Sequence, residues 1–159
     1  MKQHILSRGM FVVLILGIMV PGPVRSAASV IPGDDDPKEA LAALQAHAQE
    51  AVSKAAWKVF SENLVVALQS DHDGLREAAM RYVIQYNDRV DVRAAVFDVV
   101  RLYRDHDNDG LRRMAIVTLG HMDSDWAISF LRLSEDFEQD GALKHTIRAV
   151  IEQHRAAGG

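Results

Sequence analysis

The feature that most narrows what this chain can fold into is a corner written three times. Asp73-Gly74-Leu75-Arg76-x-x-Ala79 matches Asp109-Gly110-Leu111-Arg112-x-x-Ala115 at an offset of 36 residues. Asp140-Gly141-Ala142-Leu143-Lys144-x-x-Ile147 matches again at an offset of 32, with one inserted residue and Lys for Arg. Each corner closes one segment and opens an amphipathic helix, with apolar residues returning at three- and four-residue steps. A unit of this length cannot bury its apolar face alone, so neighbouring units must stack.

Reading outward from the corners gives seven helices. Asp36 before Pro37, followed by Lys38-Glu39, marks a strong helix start. Leu41, Leu44, Ala48, Val52 and Ala55 form one stripe, and Trp57, Phe60, Leu64 and Leu68 continue it in a new phase. This predicts a first helix over about 37–58 and a second over about 62–70 capped by Ser61, with a single bent helix as the alternative. A third helix runs from Leu75 to about Tyr86. Asn87-Asp88-Arg89 turns the chain into a fourth from Val92 to Tyr103. The fifth opens at Leu111, the sixth at Trp126 and the seventh at Leu143, and the tail from His154 is expected to fray.

The run Leu111-Arg112-x-x-Ala115-x-x-x-Leu119-Gly120, followed by Asp125-x-Ala127-x-x-x-Leu131, resembles a HEAT repeat of the short bacterial kind. The resemblance implies an all-α, right-handed α-solenoid of about three antiparallel helix pairs, with an N-terminal helix as cap. It also implies a binding scaffold. In such stacks a basic residue at each helix start pairs with an acid of the neighbouring repeat, so Arg76, Arg93, Arg112 and Lys144 are expected to meet Asp73, Asp91, Asp109 and Asp140. The second helix of each pair lines the inner face. The non-core positions there are Glu77, Arg81 and Gln85, then Arg113 and His121, then His145, Arg148 and Glu152, and these are the expected partner contacts.

The N-terminus follows a different logic. Lys2, His4 and Arg8 precede the apolar run Met10–Val20, and Pro21-Gly22-Pro23 and small residues follow. These are the parts of a secretory signal peptide. An uncleaved anchor is the alternative, but eleven apolar residues reach only about 16 Å as a helix against roughly 30 Å of hydrocarbon. The expected organisation is therefore a signal peptide over 1–26, a flexible lead-in over 27–36, a helical repeat domain over 37–154 and a frayed tail over 155–159. The expected location is periplasmic or extracellular. The chain has no cysteine, which excludes a lipobox, a disulfide and a thiolate site. Loss of residues 1–26 removes Lys2, Arg8 and Arg25 and no acid, leaving 15 basic against 22 acidic residues, a net charge of −7. Scattered cations on an acidic chain do not bind phosphate backbones, so nucleic acid is not an expected partner.

Candidate chemistry is sparse. Asp105-His106-Asp107-Asn108-Asp109-Gly110 matches the first six positions of a calcium loop of the EF-hand type, but Ile116 stands where the bidentate Glu belongs. The preferred reading is an acidic corner, with Asp109 capping the next helix and Gly110 relieving backbone strain. The seven histidines show no metal-ligand spacing, and His121 and His145 read as solvated outer positions. No nucleophile elbow or glycine-rich phosphate loop is present. Trp57, Trp126, Phe130 and Phe137 read as core or helix-packing aromatics. No catalytic residue, metal ligand or cofactor is expected. The favoured function is an exported protein–protein interaction module. A self-stacking assembly factor is the second option, and a calcium-dependent regulator or an unsignalled enzyme is the third.

Overall fold

A computed structural model of the chain describes residues 36–158; the signal-peptide reading and nearly all of the lead-in lie outside them. Among the described residues there are seven α-helices and no strand. They are α1 Pro37–Lys54, α2 Trp57–Gln69, α3 Asp73–Gln85, α4 Val96–Asp105, α5 Asp109–Gly120, α6 Asp125–Phe137 and α7 Gly141–Ala157, with a short 3-10 turn, Arg93–Ala95, leading into α4.

Helix α1 starts where its signals place it, the Asp36 carboxylate accepting from the Lys38 and Glu39 amides at 2.9 and 3.4 Å. Its end does not. The chain breaks at Ala55, which takes a left-handed conformation at φ 55°, so α1 stops at Lys54 rather than near residue 58. Ser61 is no cap. It lies inside α2, where its hydroxyl donates to the Trp57 carbonyl at 2.8 Å and accepts from the Asp91 amide at 3.0 Å. Helix α2 keeps its expected apolar phase, burying Phe60, Leu64 and Leu68, but α1 turns a different face inward: Ala40, Leu44, Ala48 and Ala51 are buried, while Leu41 of the expected stripe is half-buried and Val52 and Ala55 are exposed.

The three corners share a helical register that their acids do not. Leu75, Leu111 and Leu143 are each the third residue of their helix, and each is buried. Asp73 and Asp109 are first residues, whereas Asp140 sits one place earlier as an N-cap and accepts from the Ala142 and Leu143 amides at 2.8 and 2.9 Å. The inserted residue has moved the acid onto the cap. In α5 that role falls to Asn108, which accepts from Gly110 and Leu111; Asp109 is therefore not the cap. Nor does Gly110 relieve a left-handed turn, since no glycine among the described residues has positive φ.

Helices α1, α3, α5 and α7 contact one another in succession. Helix α2 packs on α1 and α3, α4 on α5, and α6 on α5 and α7, so α5 touches α3, α4, α6 and α7. Its buried Leu111, Ala115, Ile116 and Leu119 occupy the middle of the core. The buried Thr118 hydroxyl is satisfied by the Met114 carbonyl at 2.8 Å. Helices α5 and α7 approach closely at Gly120, where a Cβ would lie 2.4 Å from Val150 Cγ1. Helix α7 runs to Ala157, past the expected fraying point at His154, and the cation Arg155 suits its C-terminal turn.

Candidate interaction surfaces

The corners link the elements electrostatically, though not in the pattern that the repeat resemblance implies. The pairs are local: Arg76–Asp73 at 2.6 Å, Arg93–Asp91 at 2.7 Å and Arg112–Asp109 at 3.1 Å. Those guanidinium hydrogen bonds hold the Asp73 and Asp91 carboxyls below their usual range. Lys144 makes no such pair among the described residues, because the register shift leaves Gly141 three residues before it.

Other groups bridge corner to corner. His106 Nδ1 accepts from the Asn108 amide at 3.0 Å, which leaves its Nε2–H to donate to Asp73 at 3.1 Å. The Tyr103 hydroxyl donates to Glu138 at 2.7 Å, and Arg112 reaches the same carboxylate at 3.5 Å and the Tyr103 carbonyl at 2.9 Å. Burial works to raise the Glu138 carboxyl, but the Asp140 amide, the Tyr103 hydroxyl and the Arg112 charge outweigh it, and the net shift is downward. Burial, helped by Glu138, pushes the Tyr103 phenol upward.

The calcium-like loop is thus taken apart by its own helices. Asp105 ends α4, Asn108 caps α5 and Asp109 faces Arg112. Among the described residues no group of three or more His, Asp or Glu side chains is placed to hold a metal ion.

The residues expected to touch a partner lie on three helices that contact in succession. On α3, Glu77 pairs with Arg81 at 2.5 Å, and Gln85 donates to the Tyr86 hydroxyl at 3.0 Å. On α5, Arg113 is exposed, but His121 is half-buried at the helix end, its Nδ1–H donating to the Val117 carbonyl at 2.8 Å. It is not the solvated outer position that its spacing suggests. On α7, His145 and Glu152 are exposed, while Arg148 turns toward α6 and meets Glu135 at 2.6 Å. By register, Val117 and Ala149 stand where α3 has Arg81. The polar row is therefore interrupted on two of its three helices.

A second surface was missed by the sequence reading. Phe97 on α4 is 65% exposed, and on α6 Trp126, Leu133 and Phe137 are 47%, 64% and 72% exposed. Trp126 and Phe137 are therefore not core residues, and Phe130 is only partly buried. Trp57 does pack, with Tyr86 at 5.3 Å and Arg89 over its ring. Trp126, Phe130, Leu133 and Phe137 step along α6 at intervals of four, three and four, so they share one face. That face looks toward α4: Phe97 lies 4.8 Å from Trp126 and Tyr103 lies 6.1 Å from Phe130, ring centre to ring centre. Beyond these contacts α4 and α6 border a groove of about 420 Å³ lined by the apolar Phe130, Leu133 and Phe137, by Tyr103 and by the charged Arg104, Asp105, Arg112 and Glu138. One signal was in the sequence. Ala127, Ile128 and Leu131 already supply a core face to α6, so four further large apolar residues make its apolar arc too wide for one buried side.

A larger cleft of about 620 Å³ lies where the C-terminal ends of α3, α5 and α7 meet the α5–α6 turn, bounded by Arg89, Arg93, His121, Asp123 and His154. Its arginines are already committed, Arg89 to Asp88 and Arg93 to Asp91.

No family model, no curated protein and no solved structure matches this chain. Among the described residues, no helix is long and apolar enough to cross a membrane.

Proposed function

We propose that the chain is an exported, non-catalytic protein-binding module. Its helix pairs belong to a short α-solenoid of the HEAT type. The solenoid reading is supported by the buried leucine at the third position of α3, α5 and α7, and by the unbroken succession of contacts α1, α3, α5, α7. Export rests on the signal-like pattern of residues 1–26. The non-catalytic reading is supported by the engagement of the corner carboxylates in caps and ion pairs.

The observation that carries the binding reading is the aromatic groove between α4 and α6. Scattered apolar residues on a surface are ordinary, but a contiguous set of Phe97, Trp126, Leu133 and Phe137 is not. Aromatic side chains each offer about 150–250 Å² of contact area and dominate protein interfaces. The groove, rather than the interrupted polar row of α3, α5 and α7, is the binding face.

A photo-reactive residue placed in the host at Phe97, and separately at Arg113, tests this. Adducts with a polypeptide from position 97 and none from 113 are expected. Adducts from 113 alone would return the binding face to the polar row, and silence from both would end the reading.

A further inference from the structure

We infer that the cleft at the C-terminal ends of α3, α5 and α7 is a binding site for an organic cation, an alkylammonium group carried on an aliphatic chain. The cleft shares no lining residue with the α4–α6 groove, so the site is independent of the protein-binding reading. What it offers a ligand is what remains after its own groups have paired.

A helix leaves its last four carbonyls without partners inside it, and its C-terminal end carries partial negative charge. Three such ends open on this cleft. Some of the carbonyls are answered locally: Tyr82 accepts from the Tyr86 amide at 2.9 Å, Thr118 from His121 at 2.9 Å and His154 from Gly158 at 3.1 Å. The charge is answered at one end only. Arg155 stands in the last turn of α7, but neither α3 nor α5 has a basic residue in its last turn. The opposite dipole ends nearby are already matched. Helix α6 starts at the cleft with Ser124 as its cap and Asp125 in its first turn, and ahead of α4 the Asp91 carboxylate accepts from the Arg93 amide at 3.2 Å.

The side chains add further acceptors. Arg89 and Arg93 each hold a neighbouring aspartate, Asp88 at 3.1 Å and Asp91 at 2.7 Å. Asp123 lines the cleft, is exposed and has no ion pair among the described residues; Arg93 feels its charge, but the guanidinium is already taken by Asp91. His121 donates its Nδ1–H to the Val117 carbonyl at 2.8 Å, which leaves Nε2 as an acceptor. An anion finds no uncommitted guanidinium on this lining. A cation finds a carboxylate, an imidazole nitrogen and helix carbonyls.

Two features set the class of cation. Among the described residues no three acids or histidines are placed to hold a metal ion, so the acceptors are spread along the cleft. A metal needs them gathered, whereas an organic cation with several N–H donors does not. The buried Met122, Ile128 and Val150 also line the cleft, an apolar lining that suits methylene groups. Its volume of about 620 Å³ exceeds one ammonium group and takes an aliphatic amine of several carbons.

Calorimetric titration of the full chain, purified from its host, with spermidine tests this. Saturable binding at one site per chain is expected, weakening as salt rises. Asp123→Asn should lower the affinity about tenfold. Asparagine tolerates the left-handed backbone of residue 123, at φ 47°, so this variant should fold. Gln85→Lys places a resident cation in the last turn of α3 and should lower the affinity roughly two- to fivefold. Asp136→Asn, on α6 and outside the cleft, controls for the net negative charge of the chain and should change nothing. An absence of binding, binding weakened equally by Asp136→Asn, or tighter binding of phosphate than of spermidine would overturn the proposal. A blocked tripeptide with a central lysine separates the sources of the ammonium group. Binding of spermidine alone assigns the site to a free amine, and equal or tighter binding of the tripeptide assigns it to a lysine of a polypeptide.

Discussion

The Tyr103 hydroxyl donates to Glu138 Oε2 at 2.7 Å, tying the end of α4 to the turn before α7 across 35 residues of sequence. The Glu138 side chain is only 8% exposed, so its charge is held by neighbours rather than water. Tyr103→Phe leaves that carboxylate one donor short and is expected to cost about 1–2 kcal/mol in urea unfolding. The pH dependence follows from the lowered folded pKa of Glu138, whose ordinary value is 4.5. Its contribution is complete above pH 4.5 and is lost as pH falls below that through the folded value. Glu138→Gln should accordingly be less stable than the parent at pH 7, with the gap narrowing as acid is added. An equal gap at every pH would show that the charge contributes nothing.

Gly120→Ala sets a methyl 2.4 Å from Val150 Cγ1, and Val150 is itself buried. Overpacking of this kind costs about 1–3 kcal/mol. Val150→Ala opens the space, so the double variant should be more stable than the sum of the two single losses. Additive losses would mean that α5 and α7 move apart freely.

Ala55→Gly should stabilise the protein. A left-handed non-glycine residue costs about 1–2 kcal/mol, part of which glycine returns as unfolded-state entropy, so a net gain of about 0.5–1 kcal/mol is expected. Ala55 is exposed, and no core contact is lost with its methyl group. A lower melting temperature would contradict this account of the α1–α2 break.

Leu133→Ser with Phe137→Ser should leave thermal stability nearly unchanged, within about 0.5 kcal/mol for each site, because both side chains are largely in solvent. The same pair should abolish the photo-adduct from position 97. Arg113→Ala with His145→Ala should alter neither quantity. Unfolding of the serine pair would instead place these side chains in the core.

The helices were legible because the chain states their faces and ends. Asp36-Pro37 and the three Asp-Gly corners each open a helix, and Leu75, Leu111 and Leu143 lie in the core. The α1–α2 break was not legible, since an alanine there adopts a backbone that its side chain does not announce, and Ser61 offers a better cap on paper than in place. The groove was hidden for a different reason. Periodicity shows that Trp126 and Phe130 share a face, but only the spacing of α4 from α6 shows that the face stays open. His121 was misplaced because a histidine at a helix end can turn back on its own carbonyls, which spacing along a helix does not reveal.

The register at the third corner sets what length changes this chain tolerates. One residue more between Asp140 and Leu143 was absorbed ahead of the apolar seam, at the expense of only one ion pair. The same residue added after Leu143 would turn everything beyond it by about 100° about the helix axis. Ile147, Val150 and Ile151, all buried against the rest of the fold, would swing toward solvent together. Insertions and deletions are thus confined to the few positions between one helix and the next leucine, and the corners are the places where the chain can change length without unlearning its fold.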